Sequence, residues 1–262
     1  MLDARGVVVL PALYAHRLGR VPGPDSSRAA LHATLSAPVD GLETDVCLTA
    51  EGRLALLHDP WLQTGTTGTG WAHETPWRVM RDLRLRDRFG MVSAERPMLL
   101  DELLDFAPVG LVVQLDVKTY GDPALAVATA EAACRVADLH SDHRVEVISF
   151  HAAACVAAAK LGHYARLIVW ADYAPAALAA WARTVGVQGV CVEHFLLHAG
   201  LVDQLRAAGL SVTTGTINDV ELARRVGRMG VDAITTDVPA QLSAVARGFA
   251  QAPDRSTATI RG

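Results

Sequence analysis

Lysine is almost absent from this chain of 262 residues. Of 24 basic residues, only Lys118 and Lys160 are lysines; the other 22 are arginines. One of the two stands inside the apolar run LVVQLDVK, where a buried charge needs a partner. Charge of one sign is not in excess either. There are 28 acidic residues against 24 basic, a net charge of -4. That balance excludes a nucleic-acid or anionic-membrane binder working through bulk charge. The four cysteines, Cys47, Cys134, Cys155 and Cys191, show no CxxC spacing, so neither a disulfide framework nor a zinc site is indicated. They read as small apolar residues. No apolar run approaches the ~20 residues of a membrane span. The run VVVLPALYA is short and broken by Pro11, and reads as a first buried strand rather than a signal peptide. A cytoplasmic location is expected.

What is present is a globular composition, 51% hydrophobic and 20% charged, rich in Ala and Leu. Short apolar runs alternate with stretches whose apolar residues recur at three and four. Strands are predicted at 7–15, 41–47, 54–58, 111–117, 145–150, 166–170, 188–192, 210–214 and 232–236. Helices are predicted at 123–139, 151–161, 175–184, 199–208 and 218–229. Repeated strand–helix units imply a mostly parallel sheet. About eight units over ~250 residues is the size of an α/β (β/α)8 TIM barrel. A doubly wound open sheet lacks its GxGxxG after the first strand. Residues 60–96 break the alternation and read as a small inserted cap. The expected organisation is one domain over 1–246, followed by a flexible tail at 247–262.

Barrels of this kind place chemical groups at the C-terminal ends of strands. The first strand ends in His16-Arg17, the third in His58-Asp59 and the last in Asp237. Glu43 and Asp45 are two apart, so in a strand they share a face, as do Asp116 and Lys118. A hairpin turning near Glu51 and Gly52 places His58 opposite Asp45. Three carboxylates together suit Mg²⁺ or Ca²⁺. Two histidines beside a cation can work as acid and base near neutral pH. Arg17 and Lys118 can bind an anion, most simply a phosphate.

These residues carry a resemblance. AHR at 15–17, PDSS at 24–27, GLETDVCLTAEGRLALLHD at 41–59, PMLLDELL at 97–104, LDVK at 115–118, ISF at 148–150 and DAITTDVP at 232–239 resemble the glycerophosphodiester phosphodiesterases, a TIM-barrel family. The resemblance spans about residues 14 to 242. It implies metal-assisted hydrolysis of a small or lipid-derived phosphodiester, with metal ligands at Glu43, Asp45 and Asp116. It also implies catalytic histidines at His16 and His58 and phosphate-binding groups at Arg17 and Lys118. His58 is the expected acid, and His16 the base or nucleophile. The alternatives are a cyclising, phospholipase-D-like reaction and a barrel that binds a diester with little turnover.

Four departures stand out. HRG is replaced by His16-Arg17-Leu18-Gly19, and PENT by Pro24-Asp25-Ser26-Ser27. The fourth-strand Glu is Asp116, and a late-strand Trp is replaced by Gly215, which is expected to open the pocket. Trp170 is a candidate replacement for the lost aromatic, and Glu193 a candidate pocket residue. Trp61 and Trp71 sit on the cap. Arg81, Arg84, Arg86 and Arg88 are expected on its solvated face, available to an anionic substrate.

Overall fold

The computed structural model describes residues 10–21 and 23–246. Its strands are β1 (Ala12–Ala15), β2 (Gly41–Leu48), β3 (Leu54–Leu56), β4 (Val112–Val117), β5 (Arg144–Ser149), β6 (Tyr164–Val169), β7 (Gly189–Glu193), β8 (Ser211–Gly215) and β9 (Ala233–Thr236). All but β3 are parallel neighbours around a ring, with β1 paired to both β2 and β9. The sheet therefore has no seam, and the architecture is a (β/α)8 barrel. The predicted start of the first strand at 7–9 and the predicted tail at 247–262 lie outside the described residues.

The helices follow from the apolar spacing. They are α1 (Arg28–Leu35), α2 (Leu62–Gly65), α3 (Trp77–Met80), α4 (Leu100–Phe106), α5 (Pro123–Leu139), α6 (Ala152–Lys160), α7 (Pro175–Val185), α8 (Ala199–Ala207), α9 (Val220–Arg228) and α10 (Pro239–Ala246). In α5, Asp122 caps the N-terminus by accepting from the Ala124 and Leu125 amides, and Pro123 occupies a position that needs no donor. Its buried face is small, with Ala126, Ala130, Ala133 and Ala137 at helical spacing. That lets the helix sit close on the barrel wall.

One part of the interior is polar where the sequence pattern suggests apolar packing. Glu146 is fully buried and accepts from Arg166 Nε at 2.9 Å and Gln114 Nε2 at 3.0 Å. The Glu146 carboxylate is satisfied within the barrel, with Arg144 Nη2 donating to its second oxygen at 2.9 Å, as a buried charge must be. Gln114, Glu146 and Arg166 are the third residues of β4, β5 and β6, so they form a layer below the strand ends.

Residues 57–99 form the cap. Leu62, Ala72, Trp77, Met80 and Leu85 bury themselves against Cys47, Ala55, Leu57 and Leu99, a small second core beside the hairpin β2–β3. The hairpin register pairs Val46 with Leu56 and Leu48 with Leu54. Continued outward, it sets Leu57, not His58, level with Asp45. The expected pairing is thus off by one, because the turn at 49–53 is closed by Thr49 N donating to Arg53 O. The slip does not turn His58 away, since β3 ends at Leu56 and strand alternation no longer governs it.

Candidate active site

The strand ends converge on a cavity of about 250 Å³. His16, Arg17, Glu43, His58, Asp116 and Lys118 line it, together with Glu193 and Gly215. Asp45 lies beneath, 1% exposed. One oxygen each from Glu43, Asp45 and Asp116 lie within 4.8 Å of one another. The parallel register explains this closeness, because β2 and β4 pair Asp45 directly with Asp116. Shortening the fourth-strand carboxylate to Asp keeps it within the cluster.

Three buried carboxylates at such range repel one another. Burial, and then the charge of Asp45, push Glu43 up to about 7. Burial likewise raises Asp116, against the pull of Lys118. Asp45 moves the other way: burial would raise it, but Lys118 and Arg17 outweigh that and hold it below the ordinary range. Lys118 bonds Asp116 and lies 3.2 Å from Asp45 Oδ1. Burial alone would lower Lys118, yet these two carboxylates raise it. Asp45 Oδ2 and Asp116 Oδ1 are buried without hydrogen-bond partners among the described residues. An all-oxygen set with two orphaned oxygens fits a hard divalent cation.

Both histidines are held from behind. His16 Nδ1 lies 2.7 Å from Asp237 Oδ1, and His58 Nδ1 lies 3.2 Å from Asp59 Oδ2. Asp237 and Asp59 each sit below the ordinary carboxylate range. For Asp237, burial is outweighed by hydrogen bonds from His16 and Asn218; for Asp59, the bond from His58 is the main cause. An ionised carboxylate only accepts, so each Nδ1 must donate, leaving Nε2 as the reactive nitrogen. Further support comes from Asn218 Nδ2, which donates to Asp237 at 2.8 Å, and from the Tyr120 hydroxyl, which donates to Asp59 at 3.1 Å. Tyr120 is in turn packed edge-on by Trp71 of the cap.

Arg17 adopts a left-handed backbone conformation, φ 52° and ψ 42°, and Leu18 follows at φ 60°. Such strain in non-glycine residues costs of order 1–3 kcal/mol each and persists where neighbours over-determine it. Here Arg17 N donates to Glu43 Oε2 at 2.9 Å, and Leu18 is fully buried in the core. The inserted leucine of the HRLG turn is thus anchored by packing. Asp25, the acidic remnant of the altered PENT segment, ties Arg17 Nη1 at 2.6 Å and Arg20 Nε at 2.8 Å.

Not every expected residue gathers here. Trp170 is 56% exposed and does not line the cavity. The aromatic wall is Phe150, whose ring centroid lies 5.5 Å from Lys118 Nζ. Gly215 borders the cavity, yet it does not open space. A Cβ there would meet Thr235 Oγ1 at 1.7 Å, so neighbouring β9 already fills the position. Gly215→Ala is expected to destabilise the fold by about 1–3 kcal/mol through overpacking. Thermal melting of Gly215→Ala alone and combined with Thr235→Ala checks the cause, since the second change should restore most of the loss. The roles of Asp237, Asn218 and Tyr120 escaped sequence reasoning. Asp237 was visible as a strand-end carboxylate, but its partner lies 221 residues away.

A closed α/β barrel with acidic, imidazole and cationic groups at one mouth places this chain among the TIM barrels, with a polar site where barrel enzymes carry theirs. Comparison with known proteins makes this specific. Residues 16–241 match the model of the glycerophosphoryl diester phosphodiesterase family, and the chain belongs to that family of phosphoric diester hydrolases. It is 24% identical to a glycerophosphodiester phosphodiesterase of Bacillus altitudinis over 87% of this chain and 94% of that protein. It is 22% identical to one from Caldanaerobacter subterraneus subsp. tengcongensis over 88% of this chain and 95% of the relative. Among solved structures, an Oleispira antarctica phosphodiesterase in complex with the product sn-glycerol-3-phosphate superposes with a TM-score of 0.79 at 25% identity. That match covers 90% of this chain and 96% of the other.

Proposed function

We propose that this chain hydrolyses a glycerophosphodiester or a related small, lipid-derived diester. Arg17 and Lys118 bind the phosphate, while His16 and His58 move protons. The observation that carries the reading is the matched pair of carboxylate-held imidazoles, His16–Asp237 and His58–Asp59, in one cavity with Lys118. Glu43, Asp45 and Asp116 would hold a divalent cation, Mg²⁺ or Ca²⁺, which when bound supplies positive charge against the phosphate oxygens.

The chain's own groups account for the rest. Arg17 is rigid, pinned by Asp25 and by its backbone bond to Glu43, so its guanidinium is oriented before substrate arrives. Lys118 reaches the same phosphate from β4 as a point charge. His16 Nε2 takes the proton from the attacking oxygen. His58 Nε2 returns one to the leaving alkoxide. Phe150 places its ring face beside Lys118, 5.5 Å from Nζ, as an apolar wall of the phosphate site.

The test is phosphorus NMR of the products of glycerophosphocholine and glycerophosphoglycerol turnover in ¹⁸O water, with Mg²⁺ or Ca²⁺ supplied. The expected product is a phosphate monoester carrying one solvent oxygen. A cyclic phosphate would replace water with the substrate's own hydroxyl as nucleophile. Absence of turnover on these and a panel of related diesters with every metal would overturn the hydrolase reading in favour of a binding barrel. No helix of the described residues is long and apolar enough to cross a membrane.

A further inference from the structure

A second cleft, of about 170 Å³, opens between the cap and the barrel mouth. It shares Arg17 and His58 with the catalytic cavity. Its remaining walls bring in Arg20 from the turn after β1 and Arg86 and Arg88 from the cap. Four arginines thus line one small space, two of them, Arg17 and Arg20, donating to Asp25.

The carboxylates in the same walls are already engaged. Asp25 accepts from Arg17 and Arg20, Asp59 from His58 and Tyr120, and Asp87 from the amides of Phe89 and Met91. Arg86 and Arg88 make no ion pair among the described residues. Arg86 is nevertheless fixed, with Nε donating to Thr66 O at 2.9 Å and Nη1 to Gly90 O at 3.0 Å. Those bonds leave Nη2 free of any partner among the described residues. Arg88 stacks over the exposed Phe89 ring at 4.8 Å. A guanidinium anchored by carbonyls in the wall of a cleft is preorganised for an oxyanion, which it binds in its planar fork.

From these contacts we infer that the cap cleft is an anion subsite for the leaving alcohol, and that the preferred diesters carry a phosphate monoester on that alcohol. This rests on the hydrolase reading above, in which His58 faces the leaving oxygen. His58 is the residue common to both spaces, so the leaving arm extends past it toward Arg86 and Arg88. The subsite depends on four residues scattered over 72 positions of sequence, from Arg17 to Arg88. It is assembled only because the cap folds back over the β1 turn.

The test compares glycerophosphoinositol with its 4-phosphate, ligands that differ by one phosphate group. Calorimetric titration of His16→Ala protein with Mg²⁺ present measures affinity without turnover. The phosphorylated ligand is expected to bind about tenfold more tightly. Arg88→Gln, which removes no hydrogen bond among the described residues, should cut that ratio severalfold. Arg86→Gln together with Arg88→Gln should bring it near one. Melting curves report whether the cap remains folded in the double variant, and Arg88→Gln alone serves if it does not. Equal affinities in the parent, no binding of either ligand, or a ratio untouched by Arg88→Gln would overturn the subsite. Hydrolysis of glycerophosphoinositol by the unaltered chain is scored separately, because its absence would overturn the hydrolase reading rather than the affinity ratio.

Discussion

His16→Ala and His58→Ala are each expected to lower kcat by about 10²–10⁴-fold, the usual yield of a positioned acid or base. Their folds should survive. Both side chains are partly exposed, and each leaves its carboxylate a second donor: Asn218 for Asp237 and Tyr120 for Asp59. Combining the two changes should cost little more than either alone, because proton acceptance and donation act as a unit. Asp237→Asn is a finer test. An amide can donate to His16 Nδ1 and so force the proton onto Nε2, the nitrogen meant to accept one. Burial lowers the His16 pKa and the Asp237 hydrogen bond is the leading influence that raises it, with a net rise. Loss of that bond should therefore move the limb of the kcat/KM profile belonging to His16 toward lower pH, along with the drop in rate. Steady-state kinetics across pH would expose an error: near-normal turnover in either alanine variant removes that histidine from the chemistry.

The barrel was readable because each strand is an apolar run and each helix repeats at three and four. The predicted helix at 123–139 matches α5 to the residue. Glu43, Asp45, Asp116 and Lys118 were readable because strand alternation alone puts each pair on one face, and the parallel register then joins the pairs. What escaped lies where local periodicity carries no information. The histidines' partners come from distant loops. The displacement of a side chain at Gly215 by Thr235 depends on β8 and β9 meeting. The aromatic wall is Phe150 rather than Trp170 because the rim loops, not the strands, set where these rings point. The cap arginines were expected on a solvated face, available to an anionic substrate, but nothing in their spacing shows that the cap returns to the β1 turn.

Chelation of the divalent cation proposed for Glu43, Asp45 and Asp116 is expected to lower turnover by about a hundredfold or more, the rate equivalent of several kcal/mol of lost charge stabilisation. Stability should respond as well, in a pH-dependent way that activity assays cannot mimic. In the metal-free chain the Glu43 carboxyl is raised from 4.5 to about 7 by burial and by Asp45. A carboxyl with a raised folded pKa binds more protons folded than unfolded. Its favourable contribution is complete below 4.5 and is lost as pH rises through about 7. Asp116 shifts in the same direction, whereas Asp45, lowered by Lys118 and Arg17, opposes it. The metal-free protein should therefore lose stability from this cluster between about pH 4.5 and 7. A bound cation competes with those protons. Thermal melts with and without Mg²⁺ or Ca²⁺ should then show a stabilisation that grows from acid to neutral pH. Each kcal/mol recovered is worth roughly 2–4 °C in a chain of this size. Glu43→Gln separates the two effects. The amide keeps an acceptor for Arg17 N and removes one negative charge. It should melt above the metal-free parent at neutral pH, match it in acid, and lose the response to metal together with catalysis. If Glu43→Gln melts lower than the parent in chelator at neutral pH, carboxylate repulsion is not the dominant force in this cluster. A metal-induced shift that stays constant with pH would place the cation elsewhere than on Glu43.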